Sequence, residues 1–166
     1  MALTKLNFSG QGSIIGSLPS GAVIQTVEGT KTLSTYSTTT RSFTDMLNLS
    51  VSITPTFANS KFKIMLQTSH QMQYSTRYTF MTVFRDIDGT ETDISGTTTG
   101  SNTTFSGSYV NYSNSLNIMT GVSHYIDTPN TTSTIIYKPR IRVSNGFVTY
   151  GYNNMLSLIQ VEEIKG

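Results

Sequence analysis

LNLSVSIT (47–54) and KFKIMLQTSHQMQY (61–74), joined by PTFANS (55–60), decide the fold. In the first arm Leu47, Leu49, Val51 and Ile53 alternate with Asn48, Ser50, Ser52 and Thr54. In the second, Phe62, Ile64 and Leu66 take every other position, and Thr68, His70, Met72 and Tyr74 continue the same face. Successive side chains of a strand point to opposite faces, so each arm has an apolar face and a polar one. Pro55 cannot donate to a central ladder, and Asn59 and Ser60 favour turns. The stretch predicts two antiparallel strands paired through a loop, the second unusually long. Such a pair is marginal alone, so its apolar face needs a second sheet over it.

The flanking sequence supplies more strands. AVIQTVE (22–28) reads as the first, bounded by Gly21 and Gly29. Thr30 to Thr44 has Leu33, Tyr36 and Phe43 as its only large apolar residues and reads as one or two exposed strands near an edge. Arg77 to Asp86 carries Tyr78, Phe80 and Phe84 on one face and Met81 and Val83 on the other, which predicts cover on both sides, one of them from another subunit. Asp88-Gly89 and Asn145-Gly146 are hairpin signals, because their residues tolerate positive φ. SGTTTGSNTTFSGS (95–108) has no periodicity and reads as loop.

Leu116, Ile118, Val122, His124 and Ile126 share one face of the next segment, which ends at the turn DTPN (127–130). Ile135, Tyr137, Ile141 and Val143 share a face of the following one, with Pro139 marking an edge position or a bulge. Phe147 to Tyr152 pairs back across Asn145-Gly146, and Met155 to Ile164 closes the fold. Short alternating runs separated by turn signals define an all-β protein, a two-sheet antiparallel β-sandwich of jelly-roll type with an extended N-terminal arm. Residues 1–20 are the arm and 21–166 the sandwich.

Composition agrees. Alanine occurs only at positions 2, 22 and 58, while Ser and Thr make up roughly three residues in ten, and β-branched Thr suits strands. Charged residues are 12% of the chain, against about 25% in ordinary soluble domains. A strand-rich surface with so little charge invites edge-to-edge association unless it is buried in an assembly. The net charge of +2 and the lack of a basic run give nucleic acid no electrostatic footing. No run is long enough to span a bilayer and none has the form of a signal peptide, so synthesis in a cytosol without membrane insertion is expected. With no cysteine, disulfides and thiolate metal sites are excluded.

Chemistry-bearing constellations are sparse. Asp86, Asp88, Glu91 and Asp93 crowd one hairpin, but the full calcium-loop spacing is missing. His70 and His124 each stand alone on a strand. No catalytic residue, metal ligand or cofactor site is assigned. Nine tyrosines without a tryptophan are the one enriched functional side chain. Tyr109, Tyr112, Tyr150 and Tyr152, set among Asn and Ser, are the candidates for receptor or interface contacts. The arm carries Leu3, Leu6, Phe8, Ile14, Ile15 and Leu18 among glycines and serines. Disordered tails seldom hold so many aliphatics, so these six are the candidate attachment residues.

SVSITPTFANSKFKIML (50–66), STRYTFMTVFRDIDGT (75–90), YIDTPNTTSTIIYKPRIRV (125–143) and LIQVEEIKG (158–166), with the opening MALTKLNFSGQG (1–12), together resemble a family of small virion proteins. These are encoded by tailed bacteriophages, especially those of marine cyanobacteria and related hosts. The resemblance implies a trimeric β-sandwich built into the particle, as a capsid decoration or a tail-fibre module. It also implies partners among the major capsid or tail proteins. Two functions follow as expectations: a non-enzymatic structural trimer held by its arm, or a receptor module touching host surface glycan.

Overall fold

The computed structural model describes residues 17–32, 36–46, 49–73, 78–94, 106–109, 117–150 and 156–166. Among these residues twelve strands run in order: β1 (Val23–Thr32), β2 (Tyr36–Thr38), β3 (Thr44–Asp45), β4 (Val51–Ile53), β5 (Lys61–Gln73), β6 (Tyr78–Ile87), β7 (Thr90–Asp93), β8 (Ser106–Tyr109), β9 (Asn117–Asp127), β10 (Ile135–Val143), β11 (Phe147–Tyr150) and β12 (Leu156–Ile164). They form two antiparallel six-stranded sheets, as the alternation predicts. In the first, β5 is flanked by β9 on one side and by β12 and β11 in tandem on the other, with β1 and β2 beyond them. In the second, β10 and β6 form the centre, with β3 and β4 outside β10 and β7 and β8 outside β6.

The two arms that decide the fold do not pair with each other. β4 lies in the second sheet against β10, and β5 lies in the first. Residues 54–60 therefore form an arch between sheets, and the expected hairpin is corrected. The alternation is satisfied all the same. Leu49, Val51 and Ile53 from one sheet and Phe62, Ile64 and Leu66 from the other are all buried in one core cluster. Each arm covers its partner.

Glu163, fully buried near the end of β12, fastens this arch. Its carboxylate accepts hydrogen bonds from the Thr56 amide (2.6 Å) and hydroxyl (2.9 Å), the Ser60 hydroxyl (2.6 Å) and Gln25 Nε2 (2.6 Å). Burial works against its charged form, but the bonds from Ser60, Gln25 and Thr56 outweigh it and hold the carboxyl below the usual range.

Asn145-Gly146 is a second sheet crossing read from sequence as a hairpin. Gly146 adopts a φ of 72°, but β10 belongs to the second sheet and β11 to the first. Asp88-Gly89 is a true hairpin, with φ values of 51° and 83°, and joins β6 to β7. Pro139 lies mid-strand in central β10 without a bulge, in unbroken register opposite Val83 of β6; on its other side, in the gap between β3 and β4, Met46 donates its amide to the Pro139 carbonyl. β8 falls inside the stretch read as loop, where Ser and Gly carry no periodic signal.

Candidate assembly surface

Among the described residues the interior is largely apolar. Tyr137, Ile141 and Val143 of β10, Met81 and Val83 of β6, and Ile159 and Val161 of β12 pack with the arch residues. One ion pair crosses the core: Arg85 of β6 meets Asp127 of β9 at 2.7 Å, and the Tyr137 hydroxyl donates to the same carboxylate at 2.9 Å. Burial and the Asp127 charge raise the Tyr137 pKa, so this phenol stays protonated. The group ties β9 to the second sheet.

Asp127 also explains how β9 is oriented. Gly121, Ser123, Tyr125 and Asp127 turn inward, while Val122, His124 and Ile126 turn out. Among the residues expected to form a covered face, Val122 is 62% exposed and Ile126 44%. In register across the first sheet, Val122 faces Gln67 and then Leu158, and His124 faces Met65 and then Gln160. Leu156, at the start of β12, adds another large apolar side chain at 46% exposure. Beside this aliphatic strip runs a polar one, with Lys63 and Glu162 paired at 3.3 Å.

The outer face of the second sheet is dressed by its own chain. Arg140 stacks over Phe84 at 4.0 Å, and Arg142 over Phe80 at 4.1 Å and Phe43 at 5.0 Å. Phe80 is also stacked against Tyr78, centroids 5.9 Å apart. Arginines two residues apart on β10 thus supply cover over the Tyr78–Phe84 strand from within the chain. The alternating basic residues of KPRIR (138–142) were the available signal, and sequence reasoning did not use it.

Carboxylates of the β6–β7 hairpin are taken up by the same row of cations. Lys138 binds Asp86 at 2.6 Å and Glu91 at 3.0 Å, and Arg140 binds Glu91 at 2.7 Å. The Lys138 hydrogen bond lowers the pKa of Asp86, and those from Lys138 and Arg140 lower that of Glu91. Thr82 donates to Asp93 at 2.6 Å. Among the described residues no group of three or more His, Asp or Glu side chains is placed to hold a metal ion.

Of the attachment residues, Leu3, Leu6, Phe8, Ile14 and Ile15 lie outside the described residues. Leu18 is half-buried, and its carbonyl accepts a hydrogen bond from Lys165 Nζ at 2.6 Å. Of the tyrosines, Tyr112 and Tyr152 also lie outside the described residues. Tyr109 is paired opposite Tyr78 at the β6–β8 edge. Tyr150 is corrected: it is fully buried in the core cluster, and a side chain with no exposed surface meets neither receptor nor subunit.

No family model matches the chain, and no curated protein does. Among solved structures it is similar to proteins of infectious bursal disease virus. One forms virus-derived T=1 particles (12% identity, TM-score 0.42, covering 87% of this chain and 37% of that one). Another forms the T13 particle (11%, 0.39, 99% and 40%), and a third comes from the Gx strain (14%, 0.34, 85% and 38%). The chain spans about two fifths of the length of these proteins. Likeness this faint carries nothing about function.

Proposed function

We propose that the chain is a non-enzymatic structural component of a virus particle, a small β-sandwich that works as a homotrimer and is fastened to shell or tail through its N-terminal arm. The observation that carries this reading is the outer face of the first sheet. There Val122, Ile126 and Leu156 stand in water on a chain with only 12% charged residues. Exposed aliphatics on so neutral a surface suit a contact with protein. Resemblance of four stretches of the sequence to small virion proteins of tailed phages supports a place on a particle.

The test is to quantify the protein in purified particles of the virus that encodes it. Hundreds of copies fit a shell position and a few dozen a tail position. Absence from the particle overturns the proposal.

A second reading, a glycan-binding module, is favoured by one specific feature. Tyr78 is 44% exposed, rests on Phe80 beside Arg142, and has Tyr109 opposite it. Aromatic rings next to hydrogen-bond donors suit the faces of sugars. If this reading holds, host envelope polysaccharide binds the purified protein and Tyr78→Ala abolishes the binding. Hydrolysis is not expected under either reading, because Asp86, Glu91 and Asp93 are engaged by lysine, arginine and hydroxyl groups. Release of reducing ends from that polysaccharide would contradict this.

A further inference from the structure

Among the described residues strand β9 is an unpaired edge of the first sheet. It pairs with β5 from Phe62 to Met72 in unbroken register, and on its other side no strand is paired to it among the described residues. β8 approaches it without pairing. Natural sheets guard such edges with lysine, proline, bulges or very short strands. NIMTGVSHYID has eleven residues and contains no proline, lysine or arginine, and its one acidic residue, Asp127, is turned inward onto Arg85.

The opposite edge of the same sheet is treated differently. Gln25 of β1 donates to the Thr54 carbonyl at 2.8 Å, and Gly29 lies so close to the Ser50 carbonyl that a Cβ would collide with it. β1 is therefore capped by the arch, and β9 is the long open edge of the first sheet among the described residues.

The sequence offers one segment that matches this edge. In LTKLNF (3–8), Thr4, Leu6 and Phe8 alternate with Leu3, Lys5 and Asn7, a period of two. We propose that residues 3–8 of one copy add as an extra strand to the β9 edge of a neighbouring copy, with Leu6 and Phe8 extending the aliphatic strip begun by Val122 and Ile126. This rests on the self-assembly reading given above and names the contact that makes it. Strand addition satisfies the open backbone groups through main-chain hydrogen bonds, while alternate side chains set the register.

The geometry favours a neighbour's edge over the chain's own. Leu18 is held by Lys165 beside the β1–β12 end of the sheet, away from β9. An arm returning to its own β9 would cross Glu28, Gln160, Glu162 and Lys63, a polar strip that leaves Ile14 and Ile15 unmatched. The ten residues from Phe8 to Leu18 reach about 33 Å when extended, ample for an adjacent copy. A contact of one surface with a different one, repeated around an axis, closes into a ring, whereas β9 against β9 stops at two.

The chain has no cysteine, so engineered disulfides report without background. A Leu6→Cys protein is co-expressed with a Val122→Cys protein carrying a larger tag, and the products are oxidised and separated without reductant. The expected result is a mixed cross-link between the two proteins, and in the double variant a ladder that closes at three chains. Efficient dimers from Val122→Cys alone, cross-links confined within one chain, or no cross-link at all each overturn the inference. A guarded edge, Val122→Lys with Ile126→Lys, is expected to weaken association at least tenfold, and unchanged association counts against it. A trimer by light scattering that yields no arm-to-edge cross-link leaves the assembly reading standing and removes only this contact. A monomeric wild type removes the assembly reading itself.

Discussion

His70 is fully buried on the inner face of β5, and neither ring nitrogen has a hydrogen-bond partner among the described residues. Desolvation lowers its pKa from 6.5 to about 4, so it folds as a neutral ring. As pH falls below 6.5 the unfolded chain takes up a proton that the folded chain refuses until about pH 4. Stability is therefore complete above pH 6.5 and lost between 6.5 and 4, by roughly 3 kcal/mol from this residue. Urea midpoints measured across that range should fall for the wild type and stay nearly level for His70→Met. Glu163 makes a second prediction. Replacing it with Gln puts an amide donor where five donors converge, and should cost about 2–3 kcal/mol, read as a lower midpoint at pH 7. The alternation already turned His70 inward. The convergence on Glu163 was not legible, because its partners lie about a hundred positions away in the chain.

At the scale of elements, the sequence located strands well and their partners poorly. Period two reports which face is buried, and that held for β5 and β10. It does not report whether the next strand pairs alongside or crosses to the facing sheet. An arch and a hairpin demand the same apolar alternation, which is why residues 47–74 and the Asn145-Gly146 turn were both assigned to pairs. β9 shows a different limit: its more apolar face points outward because Asp127 is drawn in by Arg85 and Tyr137. A test of the packing of β1 against the chain entering β4 lies at Gly29. Its β-carbon site is filled by the Ser50 carbonyl, so Gly29→Val should force β1 from that segment and cost about 1–3 kcal/mol. A thermal midpoint equal to that of the wild type would contradict that packing.

For the whole molecule, low charge, an unguarded edge and exposed aliphatics point the same way. The surface is suited to meeting protein, and the aliphatic arm is suited to supplying it. The sequence showed the scarcity of charge and the odd arm directly; the exposed outer face of the first sheet emerged only when the strands were placed in two sheets. Removing residues 2–16 stops short of Leu18, which Lys165 holds, and should leave a folded sandwich that neither associates nor joins a particle. The most direct measurement is the mass of the full-length protein in solution by light scattering at micromolar concentration. Three times the chain mass of 18.2 kDa is the predicted result, falling to one chain on removal of the arm. A full-length protein that stays monomeric would contradict the account at its centre.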